Sequence, residues 1–108
     1  MALEFYIKQN DTSPTIRATL KGSGGTTLNL SNSSVYFRMK RTSGDTLIEG
    51  SAEIFDPAEG VVEYSWVSGD TSIAGSYKAE FELTYSDGKV ETFPNTGSIV
   101  VYIQPEIA

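Results

Sequence analysis

Hydrophobic and polar residues alternate with a period of two along most of the chain, the pattern of strands with one face in a core and the other outside it. Leu3, Phe5 and Ile7 alternate with Glu4, Tyr6 and Lys8 over 3–9, and Ile16, Ala18 and Leu20 with Arg17, Thr19 and Lys21 over 15–21. Val35, Phe37 and Met39 oppose Tyr36, Arg38 and Lys40 over 34–41. The stretch around Gly50, 46–49 with 51–55, reads as one or two short strands, and 61–66 puts Val62, Tyr64 and Trp66 on one face. Residues 76–85 alternate most regularly, with Tyr77, Ala79, Phe81, Leu83 and Tyr85 on the inner side. Strands at 89–93 and 98–103 follow, the latter directing Ile99, Val101 and Ile103 inward. A short Leu28-Asn29-Leu30 segment stands between the second and third runs.

The breaks between these runs carry turn chemistry. Gly22-Ser23-Gly24-Gly25, Ser43-Gly44-Asp45, Asp56-Pro57-Ala58-Glu59-Gly60, Ser86-Asp87-Gly88-Lys89 and Pro94-Asn95-Thr96-Gly97 all favour reversal, and Asp-Gly between alternating runs is a strong hairpin signal. Such breaks recur every eight to twelve residues in a chain with 26 Val, Ile and Thr and 12 aromatic residues. The pattern predicts an all-β sandwich of seven to nine strands and no helix. Gly75-Ser76-Tyr77-Lys78-Ala79 refines it, because a Tyr near the start of a strand and two residues before a small inward residue is the setting of the tyrosine corner in immunoglobulin-like antiparallel β-sandwiches. Tyr77 is expected either to bond backbone a few residues upstream or to serve only as a large half-buried strand residue.

Length and composition restrict the function more than they define it. The 108 residues have the length of one domain, taken as residues 1–108, and 39% of them are hydrophobic. The absence of Cys and His removes disulfides, thiol nucleophiles, thiolate or imidazole zinc sites and every triad that needs an imidazole base. A net charge of −6 repels nucleic-acid phosphate and anionic lipid. Neither a signal-type leader nor a membrane-length apolar run is present, so synthesis in a cytoplasm is expected, with no nucleic-acid or membrane partner.

The remaining candidates for chemistry are weak. Glu80 and Glu82 share a strand face at roughly 6.5–7 Å, a separation compatible with a glycosidase pair, but carboxylates at this spacing are also ordinary on a solvated face beside Lys78. Gly22 to Thr27 lacks the Lys and the helix of a phosphate-binding loop. Asp70, Thr71 and Ser72, or Asp56 with Glu59, could offer oxygens to calcium, yet their spacing suits turns. No catalytic residue, cofactor or metal is expected.

Outward aromatic residues are more informative. Tyr6, Tyr36 and Tyr102 fall on the outer side by alternation, as does Arg38, and Tyr and Arg supply much interface energy. These four are the candidate contact residues, unless the aromatics are scattered surface residues or docking uses the loops at 22–32 or 68–74. Phe37 and Phe81 are expected in the core. Trp66 is expected there as well, the other role for it being a sugar-stacking platform.

The opening Leu3-Glu4-Phe5-Tyr6-Ile7-Lys8 with Asp11-Thr12-Ser13-Pro14 and Ile16-Arg17-Ala18-Thr19-Leu20-Lys21 resembles the N-terminal domain of the phage baseplate upper protein (BppU) family. Better matches are Gly69-Asp70-Thr71, the run from Ala74 to Glu82, and the run from Thr84 through Asp87-Gly88-Lys89 to Phe93-Pro94-Asn95. Residues 28–35 match more loosely, and the relatives continue beyond the point corresponding to Ala108. The resemblance implies a β-sandwich virion structural protein without catalysis, present in multiple copies. Its partners would be other virion proteins of the baseplate hub, tail or capsid. A capsid decoration or head-to-tail protein on the same fold is the nearest other reading, and a carbohydrate-binding module using the three tyrosines is the reading from a different class.

Overall fold

A computed structural model describes residues 3–95 and 97–107; Met1, Ala2, Ala108 and Thr96 of the expected 94–97 turn lie outside the described residues. Among the described residues there are eight strands: β1 (Leu3–Lys8), β2 (Ile16–Thr19), β3 (Ser34–Arg41), β4 (Leu47–Asp56), β5 (Val61–Tyr64), β6 (Gly75–Thr84), β7 (Val90–Phe93) and β8 (Ile99–Gln104). Hydrogen bonding joins them in the order β1-β8-β6-β3-β4-β5-β2, with β7 also on β6. The helical content is one 3-10 turn at Ser23–Gly25. The chain is therefore all-β.

The long strand β4 turns this path into two layers. Its first part, from Leu47 to Ala52, pairs with β3, and its second, from Glu53 to Asp56, pairs with β5. The sheet folds over at this strand, so that β2 and β5 cover the inner face of β3, β6 and β8. The free ends of the path, β1 and β2, approach each other around a shallow apolar hollow lined by Leu3, Ala18, Leu20, Phe93 and Ile99, which leaves the barrel-like sheet nearly closed.

One local expectation is corrected, and two segments that the pattern left open are defined. β1 pairs with β8 in parallel, Leu3 opposite Ile99 through Lys8 opposite Gln104, so the sheet is not antiparallel throughout. Of the one or two short strands expected around Gly50 there is one, longer than expected at ten residues, and it runs through Gly50, where the Tyr64 ring packs closely. The Leu28-Asn29-Leu30 segment joins no strand ladder; Leu30 is buried as a plug, its amide donating to the Pro57 carbonyl at 2.8 Å.

Alternation places the core. Val35, Phe37 and Met39 of β3, Tyr77, Ala79, Phe81 and Leu83 of β6, Val62 and Tyr64 of β5, and Ile99, Val101 and Ile103 of β8 are all buried in one cluster. Phe37 stacks on Tyr64 at 4.5 Å between centroids and meets Phe81 at 5.1 Å. Trp66 closes the group edge-on to both Phe37 and Tyr64, and its indole donates to the Pro14 carbonyl at 3.0 Å. Tyr77 is fully buried, and its hydroxyl donates to the Ile73 carbonyl four residues upstream at 2.6 Å. Among the described residues, no buried side-chain nitrogen or oxygen lacks a hydrogen-bond partner.

Gly60 shows what the turn between β4 and β5 requires. Its φ is +73°, and a Cβ there would lie 2.7 Å from the Leu20 carbonyl oxygen, so glycine satisfies both the backbone conformation and the close approach of the β2 end.

Two substitutions test this packing by equilibrium urea unfolding. Phe81→Ala should lower the unfolding free energy by about 3–5 kcal/mol, because the ring is buried among strands that cannot collapse onto the gap. Tyr77→Phe should cost about 1 kcal/mol or more, since it leaves the Ile73 carbonyl without its donor.

Candidate docking surface

The outer face of β1, β8, β6, β3 and β4 carries all four candidate contact residues, and register fixes their grouping. Tyr36 and Arg38 sit at the middle of this face on β3, opposite Glu82 and Glu80 of β6 on one side and Ser51 and Glu49 of β4 on the other. The Tyr36 hydroxyl donates to Glu49 Oε1 at 3.1 Å, and Arg38 donates to Glu82 Oε2 at 3.1 Å. The Arg38 guanidinium lies 5.4 Å from the centre of the Tyr36 ring. Both residues are half-buried, so they are held in place by neighbours while their outer edges remain available. A shallow depression lined by Ser34, Tyr36, Arg38, Ser51, Glu82 and Thr84 surrounds them.

Tyr6 and Tyr102 form a second group. They are direct partners in the parallel β1–β8 ladder, and their rings stack at 4.8 Å with 17° between planes. Tyr6 is 56% exposed, and the Tyr102 hydroxyl donates to Glu4 Oε2 at 3.3 Å. Tyr102 stands opposite Ser76 of β6 and Tyr36 opposite Glu82 of the same strand. Six residues of strand separate the two positions by about 20 Å. The structure thus brings Tyr36 together with Arg38, and Tyr6 with Tyr102, but does not bring the three tyrosines into one platform.

The other chemical candidates are engaged locally. Glu82 is held by Arg38, and Glu80 stands across the ladder from the same arginine. The Asp70 carboxylate accepts from the Tyr64 hydroxyl at 2.6 Å and from the Val67 amide at 2.8 Å. The Thr71 hydroxyl donates to the Asp11 carbonyl at 2.8 Å, so the 68–74 loop is tied to the segment after β1. Asp56 Oδ1 accepts from the Glu59 amide as a turn residue does. Among the described residues no group of three or more acidic side chains is arranged to hold a metal ion.

The family model of the BppU N-terminal domain matches residues 3–96. The chain belongs to this family. It is therefore related to phage baseplate structural proteins. Comparison with curated proteins gives no match. Among solved structures, CopC from Methylosinus trichosporium OB3b is similar in fold, with a TM-score of 0.56 at 15% identity over 99% of this chain and 89% of that one. That likeness concerns the fold alone.

On the opposite face of this BppU N-terminal domain lies a group that alternation did not single out. Arg17 of β2 binds Glu63 of β5 through Nε at 3.1 Å and Nη2 at 2.9 Å, and its guanidinium covers the Phe55 ring at 3.7 Å from the centroid. The ladder between β4 and β5 shifts register between Ile54 and Asp56, so Phe55 has no cross-strand partner and is 54% exposed. A bulge of this kind re-aims a side chain. It has no signature in alternation, which is why Phe55 looked like an ordinary strand residue.

The tyrosines of this family member also define an alkaline limit. Burial, then the hydrogen bond to Glu91, pushes Tyr85 up to about 12. Burial first, and then Asp70, raises Tyr64 further, and Tyr36 and Tyr102 are raised by desolvation together with Glu49 and Glu4 respectively. A phenol in the unfolded chain ionises near ~10, so the unfolded state loses its protons first as pH rises. The stability from these groups should be fully present below about pH 10 and fall between about pH 10 and 12. Urea midpoints measured across this range check the slope, and Tyr85→Phe should make it shallower.

Proposed function

We propose that this chain is a non-catalytic docking domain of a phage particle that attaches to other virion proteins through the outer face of β1, β8, β6, β3 and β4. Family membership over residues 3–96 carries the reading. The geometry supports it by way of Tyr36 and Arg38, which are held by Glu49 and Glu82 so that little side-chain freedom remains to be lost on binding. Tyr and Arg in such a setting are the residue types that dominate interface energies. The stacked Tyr6–Tyr102 pair is a second anchor on the same face, far enough away to set orientation as well as affinity. A domain of this size can attach through about 800 Å² per partner, and repetition in the particle multiplies a modest contact into firm assembly.

The Tyr77 hydroxyl bond to Ile73, in the manner of a tyrosine corner, supports grouping the domain, 1–108, with immunoglobulin-like sandwiches. On this reading the protein is made in the host cytoplasm and resides in the virion.

Arg38→Ala combined with Tyr102→Ala tests the surface, with incorporation into purified particles as the readout and urea unfolding as the control for folding. The expected result is a folded variant depleted from particles. Normal incorporation would move the docking surface to the loops at 22–32 or 68–74, and absence of the unmodified protein from particles would overturn the phage reading.

A further inference from the structure

The sheet path ends at β1, which among the described residues has no neighbouring strand on its far side. The Gln9 amide donates to the Gln104 carbonyl at 2.7 Å, and alternate residues of a parallel strand turn to the same neighbour, so Phe5 and Ile7 also direct their backbone groups to β8. Glu4, Tyr6 and Lys8 therefore direct N–H and C=O to the open side. The Asp11 amide donates to the Lys8 carbonyl on that side at 3.1 Å, which leaves the oxygen a second lone pair. Open depressions border the edge at both ends, one beside Leu3 with Ala18 and Phe93, the other beside Tyr6 and Lys8 with Asp11 and Pro14. Neither a proline nor a bulge, two usual guards against edge pairing, interrupts the strand.

An edge that meets the same edge of a second copy does so about a two-fold axis, with the two strands antiparallel. Residues with outward backbone groups must then face one another, which restricts the pairing to Glu4, Tyr6 and Lys8 against the same three. Centring the axis on Tyr6 sets Glu4 of each copy opposite Lys8 of the other and Tyr6 opposite Tyr6. Sliding by two residues in either direction removes both charge pairs, and centring on Glu4 or Lys8 opposes like charges. Lys8 is exposed and, among the described residues, has no ion-pair partner. Glu4 is also exposed and accepts a long hydrogen bond, 3.3 Å, from the neutral Tyr102 hydroxyl, so neither charge is compensated within one copy. We infer that β1 pairs with β1 of a second copy in this register and joins the two outer faces into one continuous sheet.

Each opposed pair exchanges both backbone hydrogen bonds, with Cα atoms about 5.5 Å apart and side chains on the same side of the sheet. Tyr6, 56% exposed at the edge, thereby gains Tyr6 of the second copy beside the ring already stacked on Tyr102. On the inner side Phe5 comes opposite Ile7. One strand edge buries less than the roughly 1,200 Å² of a standard interface, so dimerisation in the micromolar-to-millimolar range is expected. A net charge of −6 opposes approach of whole domains. At an ionic strength of about 0.15 M that long-range repulsion is screened beyond about 8 Å, whereas ion pairs in direct contact are screened less. The inference goes beyond docking to other virion proteins, and it leaves Tyr36 and Arg38 on β3 free for that role.

Sedimentation velocity on the full chain at about 0.15 M salt and up to about 1 mM protein tests it, with urea unfolding as the control for folding. The unmodified protein should pass from monomer to dimer as concentration rises. Glu4→Lys and Lys8→Glu each turn both charge pairs into like-charge pairs, and each should weaken dimerisation at least ~10-fold. Mixed in equal amounts, the two variants should associate to within about threefold of the unmodified protein, because both charge pairs across the mixed dimer are again Lys against Glu. A single monomeric species up to about 1 mM, single variants that dimerise as well as the unmodified protein, or a mixture no better than either variant alone would overturn the inference. Neither result bears on virion incorporation, which reads the docking surface separately.

Discussion

The ring of Tyr64 lying across Gly50 onto Phe37 is the contact on which the two layers depend. A Cβ at position 50 would stand 3.2 Å from the Tyr64 ring, so alanine would require the ring, stacked on Phe37 at 4.5 Å, to give by a few tenths of an ångström. Gly50 lies on β4, the strand that belongs to both layers, and Phe37 is its partner across the β3 ladder. The close approach therefore occurs where the sheet folds over. Asp70 accepts from the Tyr64 hydroxyl at 2.6 Å and fixes the outer end of the same side chain. Burial and this carboxylate together keep the phenol protonated well above its ordinary range, so the hydroxyl remains a donor.

That packing gives the outer face its rigidity. The side chains inward of Tyr36 and Arg38 on β3 are Val35, Phe37 and Met39, all buried, and those of the neighbouring β6 are Tyr77, Ala79, Phe81 and Leu83. Strands buried this fully on one side present their other side in a fixed register. Cross-strand partners then hold individual residues, Glu49 for Tyr36 and Glu82 for Arg38. A surface ion pair such as Arg38–Glu82 adds little to stability. Its larger effect is to fix the orientation of the arginine on this face.

Strand identity and facing were legible because a half-buried strand must alternate, as β3 and β6 do without interruption. Neighbour relations were less legible, since alternation says which side of a sheet a residue faces and nothing about which strand lies beside it. The parallel pairing of β1 with β8 is such a case: Leu3 to Lys8 alternates whichever way its partner runs. Gly50 left one or two strands open because glycine weakens a strand in isolation, whereas here the missing Cβ makes room for Tyr64 within a single strand. The same distinction applies to the surface. Outward parity selected Tyr6, Tyr36, Arg38 and Tyr102, but their division into two groups follows from β6 register. Phe55 and its arginine cover arise from a bulge and from the β2–β5 pairing, which only the assembled sheet contains.

The central claim is that this member of the BppU N-terminal family works by being bound through the face that carries Tyr36 and Arg38. Cryo-electron microscopy of the intact phage particle tests it most directly, because it reads location and covered surface together. The account predicts density for the domain in repeated copies, with neighbouring virion protein packed over β3, β6 and β8. Density in which that face lies open to solvent while the loops at 22–32 or 68–74 make the contacts would contradict it.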